Sequence, residues 1–180
     1  MNRWLQKQIA KINLLRVNMD HKKLKARRFD EKLAHAICKK IITEETNKSN
    51  KIINDIDIFQ NQCLKISLKA FHYFLIYNVP VKYAIGYFCY NGKEFFRCDY
   101  KSISKNMINF DSSMRYHVHA WLLIEDRIIV DFTLLATIEG KMKIIVLPEP
   151  DQPNQLQYFP IILTSTPFDL LEKLGFYLAE

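Results

Sequence analysis

Two neighbouring apolar stretches, HVHAWLLI at 117–124 and IIVDFT at 128–133, constrain the fold of this chain most strongly. Every second residue along both stretches is apolar: Val118, Ala120, Leu122, Ile124, Ile128, Val130 and Phe132. The three residues between them, Glu125-Asp126-Arg127, are polar and suit a hairpin loop. The pattern predicts an antiparallel pair of strands with one face buried and the other free for function.

The loop length decides which side chains share the second face. With a three-residue loop, Trp121 lies opposite Asp131 and His119 lies opposite Thr133. His119 and Asp131 are then diagonal neighbours with backbones roughly 7–8 Å apart, a gap that their side chains can bridge. A two-residue loop would turn Asp131 into the apolar layer, where an isolated carboxylate is costly. We therefore predict the three-residue loop.

The rest of the chain predicts an α+β fold, because helices come first and mostly antiparallel strands follow. The predicted helices span residues 22–46, 61–77 and 167–178, and the predicted strands span 81–90, 93–100, 117–124, 128–133, 143–147 and 158–163. Asn91-Gly92 is a strong hairpin signal between the first two strands. We expect a basic helical arm over residues 1–50 and a core domain over residues 51–180.

Composition excludes several classes of protein. Of the 180 residues, 49% are hydrophobic and 13% aromatic, which excludes a disordered chain. No window reaches the roughly 18 apolar residues of a membrane span, and the first residues lack the apolar stretch of a signal peptide. We expect a cytoplasmic protein without a membrane span, in which the four cysteines are weak evidence for disulfides.

Positive charge is concentrated at the N-terminus. Residues 1–28 hold nine Lys or Arg against one acid, within a chain of net charge +7. Trp4, Ile9, Ile12, Leu15 and Met19 recur near helical spacing, which indicates an amphipathic helix. A solvated helix packed on the domain is the favoured interpretation, and an acidic partner or nucleic acid is the alternative.

Cys63 is placed to open the buried helix at 61–77. A helix start stabilises a thiolate and offers backbone N–H donors to an oxyanion. His119 would accept the thiol proton, and Asp131 would orient the imidazole and stabilise its charged form. These residue types predict a cysteine nucleophile for acyl transfer.

Other interpretations of the same residues stay open. Cys63 on an apolar helix is also typical of simple packing, and His119 with Asp131 of a structural pair. His117 and His119 on one strand face would form a metal site with Asp131 or Cys63.

The blocks CLKISLKAFHYFLIYNVPVKYAIGYF, HVHAW and RIIVDFT resemble the transglutaminase-like branch of the papain-like cysteine hydrolases over about residues 61–134. The resemblance implies Cys63 as nucleophile, His119 as base and Asp131 as orienting group. It also implies a papain-like fold, with the cysteine helix packed on an antiparallel sheet. Phe132 replaces the usual proline of the pattern, and Asn78 the usual glycine.

The cysteine block is also similar to the B-protein peptidases that remove leader peptides from lasso-peptide precursors. The resemblance implies a cofactor-free enzyme that attacks an amide or peptide carbonyl through a thioester, as a peptidase, deamidase or transglutaminase. Further candidates for contacts with substrate or oxyanion are Gln60, Gln62, Trp121 and His117. A non-catalytic binding or adaptor protein with the same fold and a basic arm is the alternative.

Overall fold

The computed structural model describes residues 28–48, 54–103, 118–148 and 155–173, which form an α+β fold as predicted. The elements in chain order are α1 (Glu31–Lys48), α2 (Asp55–Phe59), α3 (Cys63–Ile76), β1 (Val81–Tyr90), β2 (Lys93–Phe95), β3 (His119–Ile124), β4 (Ile128–Asp131), α4 (Leu134–Glu139), β5 (Ile145–Pro148), β6 (Leu156–Thr164) and α5 (Pro167–Lys173). Within these ranges no helix is long and apolar enough to span a membrane.

The six strands form one antiparallel sheet centred on β1 and β3. Its order is β2-β1-β3-β4-β5, and β6 pairs with β1. Residues Tyr83 to Gly86 of β1 pair with both β3 and β6, so these two strands lie on opposite edges of β1. The first residue of β3 is His119 and the last residue of β4 is Asp131, so the two strands carry both predicted polar residues.

The predicted three-residue loop is confirmed. Leu122 lies opposite Val130 and Leu123 lies opposite Ile129. Glu125 and Asp126 adopt left-handed backbone angles, φ 51° and 55°, which turn the chain between β3 and β4. The alternation of apolar residues was sufficient to fix this register, because a shift by one residue would exchange the two faces.

At β3 and β4 the sheet is buried on both faces, so the expectation of one open functional face was wrong. The helix-side core contains α1, α3 and the predicted apolar residues of β3 and β4. The opposite face carries the aromatic core: Ala84, Phe88, Trp121, Leu123, Ile129, Leu134, Ile145, Leu156 and Tyr158. The strand face that carries His119 and Asp131 is therefore covered by the aromatic core and lies in the interior of the molecule.

Helix α1 begins at Glu31, nine residues later than predicted. Asp30 ends the non-helical segment, because its side chain accepts the backbone N–H of Lys32 at 2.9 Å. Leu33, Ile37 and Ile41 of α1 enter the helix-side core. The predicted basic arm before residue 28 lies outside the described residues.

The end of one strand and two short helices also differ from prediction. Strand β2 ends at Phe95 instead of residue 100, because Phe96 adopts a left-handed φ of 58° that breaks the strand. Helices α2 and α4 were not predicted. Helix α5 begins at Pro167 as expected, and the predicted residues beyond 173 lie outside the described part.

Candidate active site

Cys63 is the first residue of α3, as the sequence predicted. Its half-buried Sγ lies 3.7 Å from the carbonyl oxygen of Val118, directly before β3. One turn later, the buried hydroxyl of Ser67 donates to the carbonyl of Ala120 at 2.9 Å. These two contacts run along one strand and set the start of α3 beside the start of β3.

Tyr83 ties the same end of α3 to β1. Its hydroxyl donates to the carbonyl oxygen of Leu64 at 3.0 Å, in the first turn of the helix. Burial, followed by the nearby Cys63 side chain, raises the pKa of Tyr83 well above its ordinary value. Tyr83 therefore stays a neutral hydrogen-bond donor that fixes the helix end carrying the thiol.

His119 and Asp131 form a buried ion pair. Nε2 of His119 lies 2.5 Å from Oδ2 of Asp131, and the two side chains are 1% and 0% exposed. Since Nε2 is engaged by Asp131, Nδ1 is the ring nitrogen that can exchange a proton with Cys63. A hydrogen bond also links Cys63 to His119, so the structure brings together all three residues predicted as a triad.

The Asp131 carboxylate accepts five hydrogen bonds. Oδ1 accepts the backbone N–H of Thr133 at 2.9 Å, the Thr133 hydroxyl at 3.2 Å and the backbone N–H of Leu134 at 3.1 Å. Oδ2 accepts from His119 and from the Tyr158 hydroxyl, the latter at 2.9 Å. Asp131 thereby also satisfies donors at the first turn of α4.

These contacts set the charge of the pair. Burial alone would lower the pKa of His119, but the Asp131 carboxylate and a hydrogen bond with Cys63 outweigh it and raise the pKa to about 10. Burial alone would raise the pKa of Asp131, but His119, the Thr133 N–H and Tyr158 hold it below its ordinary value. At neutral pH the pair is therefore imidazolium and carboxylate.

Four aromatic rings surround the imidazole. Phe88 meets it edge-on with ring centroids 5.0 Å apart, and Phe96 stacks on it at 6.0 Å and 11°. Trp121 and Tyr158 stack at 6.0 Å and 6.5 Å. Trp121, which we expected near the substrate, is 2% exposed and supports the His119 ring from within the core. The rings hold the ion pair in a low-dielectric environment.

Of the remaining predicted site residues, the structure describes Gln60 and Gln62. Gln60 and Gln62 are exposed and precede Cys63, and the Gln62 side chain makes no capping hydrogen bond to α3. His117 lies outside the described residues. In the ranges that the structure covers, no group of three or more His, Cys, Asp or Glu side chains is arranged to hold a metal ion.

Sequence reasoning missed Ser67, Tyr83, Phe96 and Tyr158, which fix the thiol helix and the histidine. Pairing of β6 with β1 brings Tyr158 to the site, and packing of α3 on β3 brings Ser67. Tyr83 contacts α3 from β1, and Phe96 stacks on His119 just after β2 ends. No local motif signals these contacts. Asp131-Phe132-Thr133-Leu134 did carry a signal, because an Asp just before a helical stretch is a typical N-terminal cap.

Comparison with known proteins identifies no relative of this chain. No family model, curated protein or solved structure matches it. The assignment of function therefore rests on the site itself.

Proposed function

We propose that this protein is a cysteine-nucleophile acyl-transfer enzyme that acts on an amide or peptide carbonyl. The observation that carries the proposal is a half-buried thiol at the start of α3 beside a fully buried His119–Asp131 ion pair. A charged imidazole next to a thiol favours the thiolate, which is the attacking form.

The chemistry would proceed in two steps. In the resting pair the proton of the Cys63 thiol already lies on Nδ1 of His119, so the pair is thiolate and imidazolium. The thiolate forms a bond to the carbonyl carbon, and the imidazolium gives its Nδ1 proton to the leaving amine as the C–N bond breaks. The acyl group then sits on Sγ as a thioester. Water or a second amine attacks the thioester, gives its proton to His119 and releases the Cys63 thiolate.

Two features of the fold support the charge development that this chemistry requires. The first backbone N–H groups of a helix have no partner within it, so those at the start of α3 would be available to the carbonyl oxygen that becomes negative. The packing of a cysteine-led helix on an antiparallel sheet that carries His119 supports a papain-like, transglutaminase-like fold. Peptidase, deamidase and transglutaminase activities would all use this arrangement.

A peptide vinyl sulfone tests the proposal, because this electrophile alkylates activated cysteine nucleophiles irreversibly. We expect one equivalent to modify wild-type protein at Cys63, as located by mass spectrometry, and to leave a Cys63→Ser variant unmodified. Cys89→Ser is the matched control, since Cys89 is a free, half-buried cysteine of β1. Absence of labelling at Cys63 would favour a binding protein without turnover.

A further inference from the structure

The C-terminal strand contributes a side chain to the site. Tyr158 of β6 is 4% exposed, and its hydroxyl donates to the same Asp131 oxygen that accepts Nε2 of His119. The likeness to cysteine hydrolases ends near residue 134, so it implies nothing about this tyrosine. Pairing of β6 with β1 brings it there, with Tyr158 opposite Phe88.

We propose that Tyr158 is a positioning residue for the acyl transfer: its hydroxyl holds the Asp131 carboxylate ionised, with Oδ2 directed at His119. The inference rests on the proposed function. Tyr158 acts through Asp131, whose Oδ2 accepts both its hydroxyl and Nε2 of His119.

The hydrogen-bond pattern supports this role. Three donors from Thr133 and Leu134 occupy Oδ1, whereas among the described residues Oδ2 accepts from His119 and Tyr158. The tyrosine hydroxyl therefore fixes the oxygen that orients the base. Burial and Asp131 raise the pKa of Tyr158 well above its ordinary value, so the hydroxyl keeps its proton and donates across the working pH range.

Burial would raise the pKa of Asp131, and groups on several of the described elements oppose this effect. His119 acts on the carboxylate from β3 and Tyr158 from β6, with the backbone N–H of Thr133 from its own segment, while Cys63 of α3 acts on His119. Removing the tyrosine hydroxyl should therefore raise the pKa of Asp131. A hydrogen bond to a charged group corresponds to a shift of about one pH unit.

Titration of Asp131 tests the inference directly. Protein labelled with ¹³C at aspartate side chains is followed by NMR, with Asp131→Asn used to assign the signal. In Tyr158→Phe we expect the Asp131 midpoint to move up by about one pH unit. As the pH is lowered, labelling of Cys63 should then begin to decline at a correspondingly higher pH than in the wild type. A merely structural role would lower the melting temperature without moving this midpoint.

Tyr90→Phe is the matched control, because Tyr90 also donates to a carboxylate, that of Glu139, away from the site. Equal Asp131 midpoints in the Tyr158 and Tyr90 variants would overturn the inference. On the wild type, an Asp131 midpoint at or above the ordinary value of 3.8 would do the same, even if Tyr158→Phe fails to fold.

The two proposals fail differently. If the vinyl sulfone labels Cys63 but the Asp131 midpoint does not move, the role of Tyr158 is overturned and the acyl-transfer proposal stands. If Cys63 of the wild type is not labelled, the acyl-transfer proposal fails and the positioning role fails with it, whatever the Asp131 midpoint shows.

Discussion

Asp131 has to remain charged at a position that is 0% exposed. A buried carboxylate is tolerated only when its oxygens are satisfied and a cation lies beside it. Five hydrogen-bond donors of the described residues, one of them on the cationic His119, meet both conditions. The same contacts join β3, β4, α4 and β6, so the residue that would orient the base also connects four elements of the fold.

Asp131→Asn should therefore lower both stability and activity. Loss of one partner from a buried ion pair costs about 3–5 kcal/mol in the free energy of unfolding. Turnover should fall on the order of 10⁴-fold, as in serine enzymes with this geometry. Urea unfolding followed by circular dichroism measures the first effect, and a rate measurement the second.

Asp126→Asn provides the control for that comparison, because Asp126 lies in the exposed hairpin loop and its ion pair with Lys82 is solvated. We expect its stability to change by less than about 1 kcal/mol. Equal stability losses in the two variants would show that the buried ion pair contributes no more to the free energy of unfolding than the exposed one.

At the level of single residues, the sequence could predict those site residues whose positions follow from strand alternation or from the start of a helix. His119 and Asp131 stood out as polar positions on a strand pair, and Cys63 as a helix start. Tyr158 could not be predicted, since its contact with Asp131 depends on how a strand 27 residues away pairs in the sheet. Long-range pairing of this kind leaves no local pattern.

At the scale of elements, the pairing of β1 with β6 restricts the size of the residue at position 86, which is Gly86. The pairing of these strands shifts register between Ile85 and Gly86, which brings the β6 backbone close. A Cβ added at Gly86 would lie 2.1 Å from the carbonyl oxygen of Phe159 and 3.0 Å from the Trp121 ring. No side chain fits there without movement of the backbone.

Gly86→Ala should accordingly destabilise the fold by about 3 kcal/mol through overpacking, and it should disturb the indole beneath His119. Gly140→Ala is a useful comparison: its φ of 62° is strained, but an added Cβ meets nothing within 4 Å. That variant should lose only about 1 kcal/mol. Thermal unfolding that ranks Gly140→Ala as the more damaging change would contradict the structure.

Element boundaries were harder to predict than element types. The loop between β3 and β4 could be predicted because only one register keeps Asp131 out of the apolar face of the strand pair. The early end of β2 could not, because Phe96 adopts a left-handed φ that its residue type does not favour. Stacking on His119 accompanies this conformation and is a tertiary contact.

For the whole molecule, the buried ion pair links stability to pH. His119 has a raised pKa, so its contribution is complete below the ordinary value of 6.5 and is lost as pH rises through about 10. Asp131 has a lowered pKa, so its contribution is complete above the ordinary value of 3.8 and is lost as pH falls through the lower folded value. Both contributions are complete between these two ordinary values.

The stability difference between wild type and Asp131→Asn should follow the same profile. We expect the largest difference between about pH 4 and 6.5, with a progressive decrease toward pH 10. Urea unfolding at a series of pH values measures this difference. A difference that grows from pH 7 to pH 10 would contradict an imidazolium–carboxylate pair.

The reactivity of the four cysteines across pH 5 to 9 tests the central claim, that Cys63 is an activated nucleophile. Burial, with a smaller effect of Asp55, raises the pKa of Cys38 to about 11, and burial with Asp99 raises that of Cys98. Alkylated peptides are quantified by mass spectrometry in wild type and in His119→Ala. Labelling of Cys38, which is 6% exposed, would reveal any loss of the fold.

We predict that Cys63 is alkylated near pH 6 ahead of Cys38, Cys89 and Cys98, and that His119→Ala removes this low-pH labelling while Cys38 stays protected. Equal labelling of all four cysteines, or a Cys63 curve unchanged by loss of His119, would contradict the account.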